Sequence, residues 1–259
     1  MWQGDPAYWS RRALNLFPYV GRLYEKCYTY KGKRYPLEIH GFSTDAEYKA
    51  IEVNKEKLLF EMQITDEMRK CYPFEYSYQV EYQLVDNAVQ ISYIVRNYGQ
   101  ETMYFGLGGH PGFFVPQNGE GELHDCYLEF TDEHQPMEVG LSEGKLRTGK
   151  DKVYPLEDER ILPLSLSLFD RGAIILRDVG QGLALKSRKN NHGVELTFPQ
   201  MKNLCLWHIP KKDAPFICIE PWASLQGEEG VIEDIEKQQN LIKLEPQKNY
   251  VNTWWITIF

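Results

Sequence analysis

Between positions 74 and 95 the chain alternates with a period of two. Phe74, Tyr76, Tyr78, Val80, Tyr82 and Leu84 are separated by more polar neighbours, Asp86-Asn87 interrupts, and Val89, Ile91, Tyr93 and Val95 resume. A period of two belongs to a strand and not to a helix. Two such runs around a two-residue polar break predict a long antiparallel hairpin. Further strand-like stretches lie at 58–64, 127–130, 173–176, 182–186, 194–198, 204–209, 216–219 and 250–258, and Lys31-Gly32-Lys33 divides another pair, 27–30 and 34–37. Helical signals are scarce. Asp5-Pro6 has the order of an N-cap and a first helical residue, and 234–239 offers a second short turn. With no sustained 3.6-residue period, no repeat and no Pro- or Ser-rich linker, the prediction is an all-β chain of stacked antiparallel sheets in one domain, 1–259.

Composition narrows the function classes. At 259 residues with 42% apolar and 25% charged side chains, the chain is globular and long enough to bury roughly three quarters of its unfolded surface. Its net charge is −8, which argues against a non-specific nucleic-acid binder. No apolar stretch reaches the ~18 residues of a membrane span, and MWQGDPAYWSRR lacks the basic-then-apolar order of a secretory signal. Cys27, Cys71, Cys126, Cys205 and Cys218 are scattered and odd in number, fitting reduced thiols and a cytoplasmic protein better than a disulfide framework or structural zinc. Aromatic residues reach 14%; most suit strands, and a minority suit contact with sugar C–H faces.

Two segments could carry acid–base chemistry. In Gly106-Leu107-Gly108-Gly109-His110-Pro111-Gly112, four glycines permit left-handed backbone and close approach, and Pro111 restricts His110, which predicts a histidine fixed on a turn. Proton transfer and a simple carbonyl contact stand level as its role. In Phe216-Ile217-Cys218-Ile219-Glu220-Pro221-Trp222, an apolar strand delivers a desolvated carboxyl; taken alone, a structural Glu–Arg pair is the slightly favoured account. Arg22 in FPYVGRL and His40 in IHGF are weak singly. His124, His134, His192 and His208 have no supporting context, and no histidine pair has metal-ligand spacing.

Taken together, WQGDPAYW, FPYVGRL, HGF, GGHPGFFVP and FICIEPW resemble the aldose 1-epimerase (galactose mutarotase) superfamily, in particular its LacX-like bacterial branch. The motifs occur in the family's order and span most of the chain. The resemblance implies a large antiparallel β-sandwich, the supersandwich, and interconversion of aldose anomers without a cofactor. It assigns Glu220 as general base and His110 as general acid, with no metal. It assigns His40 and Arg22 to sugar binding, and leaves Trp222 and Trp207 as stacking candidates. The family's later aspartate has no clean match: Gly172 stands where the acid would fall, and Asp170, two residues earlier, is the substitute sugar contact. Ser43-Thr44-Asp45 follows HGF where phosphosugar members carry arginines, so a neutral aldohexose is favoured over a phosphorylated one, although Arg11, Arg12 or Arg96 could supply charge. In relatives one or more strands precede WQGDPAYW, so the fold is expected to lack the first N-terminal strand or strands and to expose a sheet edge.

Two other classes compete: a non-catalytic carbohydrate-binding or regulatory protein on the same fold, and a hexose-6-phosphate mutarotase. A glycosidase ranks below them because it wants two carboxylates. A homodimer is left open. Mutarotation itself needs a proton taken from the C1 hydroxyl and one given to the ring oxygen, and the expectation is that Glu220 and His110 do this from opposite sides of the anomeric centre.

Overall fold

The computed structural model describes residues 1–259, and its two large sheets are antiparallel throughout. The predicted hairpin forms as Tyr76–Val85 and Ala88–Asn97, ten residues each, paired without a slip from Tyr76↔Asn97 to Val85↔Ala88. Asp86 makes the turn at φ 53°, a left-handed conformation that Asp tolerates better than most residues. The C-terminal strand Asn249–Ile258 covers the other edge of Ala88–Asn97. These three long strands anchor a nine-stranded sheet. It is extended on one side by Lys57–Met62 and Tyr48–Val53, and on the other by Val194–Thr197, Gly182–Ser187, Cys126–Phe130 and Ile161–Pro163.

The second sheet has seven strands in the order Ala13–Leu16, Gly108–Phe114, Phe216–Trp222, Asn203–Trp207, Ile174–Arg177, Met137–Glu138 and Lys152–Val153. Ala13–Leu16 is an outer strand here, as Tyr48–Val53 is in the larger sheet. The expected all-β sandwich is therefore the fold, and strand alternation explains what it presents outward. Phe113, Ile217, Ile219, Leu204 and Leu206 enter the main core together with Tyr78 and Tyr93 of the hairpin. The alternate residues Cys205 and Trp222 lie instead in a separate cluster with Leu16, Val20, Val139, Ile175 and Leu225, which places them on the other face of the seven-stranded sheet.

Aromatic side chains fill much of the main core. Phe17 stacks on Tyr78 with ring centroids 4.3 Å apart, and Tyr72 and Phe74 lie 4.7 Å apart. Pairs of this kind add about 0.5–1.5 kcal/mol each beyond their burial.

Three local expectations are corrected. Residues 5–8 and 234–239 do not form helices. Asp5 and Asp234 accept from the N–H groups of Ala7 and Glu236, two residues on, a side-chain turn that competes with helix initiation. The single α-helix is Asp66–Cys71, capped by Thr65, whose Oγ1 accepts from the Met68 N–H. The third correction concerns His110, which sits inside strand Gly108–Phe114 and not on a turn. None of the four nearby glycines has a positive φ. Their reason is space: a Cβ on Gly108 would stand 2.7 Å from Trp222 Cδ1, and one on Gly112 3.0 Å from both Trp2 and Trp9. No helix is long and apolar enough to cross a membrane.

Candidate active site

Strand register assembles the centre of the site. Gly108–Phe114 and Phe216–Trp222 pair as Cys218↔Gly112 and Trp222↔Gly108, which sets Glu220 opposite His110. The ladder is interrupted between those two pairs, where Pro111 and Pro221 have no N–H to donate. On the far side Glu220 faces Cys205, and Cys205 faces Ile175. One transverse row of the sheet therefore carries His110, Glu220, Cys205 and Ile175, all lining a cavity of about 400 Å³.

The His110 Nε2 lies 3.3 Å from Glu220 Oε1, with the two side chains 11% and 1% exposed. Burial pushes the Glu220 carboxyl well above the ordinary carboxylate range. Burial, with His40 nearby, lowers His110 to about 3. Burial thus favours the neutral form of both groups, which places the proton they share on the Glu220 side. His110 Nδ1, Glu220 Oε2 and the Trp222 indole nitrogen are buried without hydrogen-bond partners, as are both polar ends of the Gln226 side-chain amide. Buried polar groups left unsatisfied in this way are uncommon and carry a desolvation cost.

The walls come from segments that cross the sheet face. Trp9 stacks on the His110 imidazole, with centroids 5.0 Å apart and planes inclined by 21°. His40 lies edge-on to both His110 and Trp222, at 5.8 and 5.9 Å. It is held at φ 64°, costly for a residue with a Cβ, by two reciprocal bonds: its own N–H donates to the Gly21 carbonyl (2.9 Å), and the Gly21 N–H donates to its Nδ1 (3.1 Å). Since Nδ1 accepts, the imidazole proton is on Nε2. Burial, with the Arg22 charge nearby, lowers His40 to about 4, so it too is neutral at physiological pH. Arg22, Lys145, Trp207, Gly172 and Ala173 complete the part of the lining that matters here.

Of the residues singled out in the sequence, Arg22, His40, His110, Glu220, Trp207 and Trp222 converge on this cavity. Asp170 does not. It is exposed, at the end of the short 3-10 helix Leu166–Phe169, and lines a neighbouring groove. Gly172, at φ 93°, turns the chain beyond it, so Gly172 and Ala173 are what face the cavity. Glu220 and His110 lie side by side on adjacent strands. Trp9, Lys145, Gln226 and Cys205 were not legible as site residues. Trp9 lies in a matched motif, but only folding lays its ring on His110. The fully buried His208 has its ring nitrogens against the carbonyls of Ile209 and Ala214, a contact that anchors the 209–214 loop.

As a possible metal ligand set, His110, Cys218 and Glu220 bring one donor atom each within 4.8 Å of one another. Burial raises the Cys218 thiol as well as the Glu220 carboxyl. All three groups favour neutral forms, so the set offers a cation little charge compensation.

Residues 1–237 match the family model described as aldose 1-epimerase. The chain belongs to the aldose 1-epimerase family. Within that family it is 33% identical over 260 residues to the plasmid-encoded protein LacX of Lactococcus lactis subsp. lactis, a match covering 96% of this chain and 86% of that protein. It superimposes on a galactose mutarotase related enzyme from Lactobacillus acidophilus with a TM-score of 0.93 at 32% identity, covering 100% of this chain and 86% of that one. A galactose mutarotase-like protein from Lactobacillus casei aligns at TM-score 0.92 and 28% identity, covering 100% and 88%. A galactose mutarotase-like protein from Clostridium acetobutylicum, at 17% identity and TM-score 0.76, shares the fold. This member of the aldose epimerases is thus LacX-like in sequence and mutarotase-like in architecture.

Proposed function

We propose that the chain interconverts the α and β anomers of an aldose, with Glu220 and His110 as the proton-transfer pair. The observation that carries this reading is the buried 3.3 Å contact between His110 Nε2 and Glu220 Oε1 on the wall of a sugar-sized cavity. The C1 hydroxyl and the ring oxygen are bonded to the same carbon, so two adjacent groups can address both at once. Opposite placement is unnecessary.

Ring opening consumes one base and one acid, and a pair holding a single proton provides both. In the free site that proton rests on Glu220. Sugar hydroxyls bring polar atoms against the unpartnered Glu220 Oε2 and His110 Nδ1, and hydrogen bonds to a charged form favour it. The proton then crosses to His110. Glu220 as carboxylate takes the C1 hydroxyl proton while His110 gives its own to the ring oxygen, the C1–O5 bond breaks, and the open aldehyde forms. Rotation about C1–C2 and the reverse transfers close the ring on the other face. A placed acid and base contribute typically about 10²–10⁴-fold each. The His40 Nε2–H is available to a sugar oxygen, Arg22 binds a hydroxyl or substituent, and the partly exposed face of Trp207 packs on sugar C–H groups.

Freshly dissolved pure anomers, followed by polarimetry or NMR exchange with and without protein, test this. Faster approach to anomeric equilibrium is expected for at least one aldose. Sugar binding with no acceleration across the panel would make the protein a binder and not an epimerase.

A further inference from the structure

The cavity is one-sided in charge. Arg22 and Lys145 are its cations, and Glu220 is its only acidic side chain, with burial disfavouring its charged form. Some of the chain's cations are paired with carboxylates, as in Lys26–Glu38, Arg147–Glu233 and Arg177–Asp151. Arg22 and Lys145 have no such partner. The Lys145 ammonium donates one bond, to the Arg171 carbonyl, which leaves two of its three N–H donors free. A neutral polar group on the same wall adds a donor: the side-chain amide of Gln226, 1% exposed, is unpartnered. A lining of two unpaired cations and spare N–H groups complements an anion better than a ring of hydroxyls alone.

Position adds to charge. Lys145, Leu141, Ala173 and Ile175 line both this cavity and the adjoining groove, which His110 and Glu220 do not reach. Lys145 therefore stands at the junction, away from the proton-transfer pair. The segment that suggested a neutral sugar lies outside the cavity lining. Asp45 pairs with Arg11 at the surface, and none of Ser43, Thr44 and Asp45 lines the cavity.

We propose that the substrate is an aldose carrying an anionic substituent, a phosphate ester or a carboxylate, on the part of the molecule away from C1, with Arg22 and Lys145 as its anion-binding side chains. The proposal rests on the epimerase reading for the placement of C1, but its binding prediction stands by itself.

Three matched sugars test it: a hexose, its 6-phosphate and its uronic acid. Each is titrated calorimetrically into wild type, Lys145→Met and Lys145→Arg, and each is followed for anomer exchange by NMR. At least one anionic sugar should bind wild type about tenfold or more tightly than the hexose, with a preference that weakens as salt is raised. Lys145→Met should remove most of that ratio and Lys145→Arg should keep it. The tighter of the two anionic sugars identifies the substituent. Equal affinity for all three sugars, or a preference untouched in Lys145→Met, overturns the proposal while leaving the epimerase reading intact. A Lys145-dependent preference without anomer exchange upholds the proposal and defeats the epimerase reading.

Discussion

Glu220 and His110 face each other across adjacent central strands, Nε2 to Oε1 at 3.3 Å, and each is followed directly by a proline. Proline restricts the preceding residue to extended backbone and removes one ladder donor, so both residues are fixed in a strand whose pairing is interrupted between them. This geometry makes Glu220→Gln informative, because the amide keeps the shape and loses the proton chemistry. Anomer exchange by NMR should fall by about 10²–10⁴-fold with an unchanged circular dichroism spectrum. Retention of wild-type exchange would remove Glu220 from the mechanism.

The same substitution should raise stability at neutral pH. Folded Glu220 keeps its proton above the ordinary value of 4.5, whereas the unfolded chain releases it there. The folded state thus binds more protons, and stability is lost as pH rises from 4.5 toward the raised folded value. The loss is about 1.4 kcal/mol per pH unit across that window. Glutamine carries no such linkage. Thermal melts should place Glu220→Gln at least about 2 °C above wild type near pH 7, with the gap closing as pH falls to 4.5. A gap that is constant with pH would show that Glu220 is ionised in the folded protein.

The pH–rate profile follows from the pair's single proton. Activity is lost at acid pH when His110 also protonates, and at alkaline pH when Glu220 ionises. With His110 lowered to about 3 and His40 to about 4, the acid limb of kcat/KM should lie between pH 3 and 4, well below the ordinary histidine value of 6.5. An acid limb near 6.5 would mean that the imidazole is solvated in the working enzyme.

Trp9 tests the cause of that shift. Its indole covers the His110 ring and reaches Phe216 and Trp207 behind it. In Trp9→Ala water gains access to the imidazole, so the acid limb should move toward 6.5 while kcat/KM at neutral pH drops about tenfold through lost packing and positioning. A drop in rate without movement of the limb would assign Trp9 to packing alone.

His40→Asn separates binding from chemistry. Asparagine tolerates the left-handed backbone that His40 adopts at φ 64°, so the fold is retained, but the Nε2–H donor is lost. KM should rise about tenfold with a smaller change in kcat. A fall in kcat at constant KM would place His40 in the proton transfers.

Much of this protein was legible in its sequence because the relevant physics is local. Side-chain alternation with a period of two fixes which face a strand buries, so the hairpin at Tyr76–Val85 and Ala88–Asn97 and most other strands could be read directly, as could the all-β class. Motif resemblance then singled out Arg22, His40, His110 and Glu220, which do line one cavity. Local reasoning failed where a neighbour distant in sequence decides the outcome. The glycines around His110 look like turn formers until Trp222, Trp2 and Trp9 are packed against them. Asp170 looks like a sugar contact until Gly172 turns the chain away from the cavity, and Lys145 carries no motif at all. How readily Glu220 ionises is also a tertiary matter: the sequence supplies the carboxyl, and only the packed sheet, with His110 and Cys205 on its flanks, buries it and so raises it above the ordinary carboxylate range.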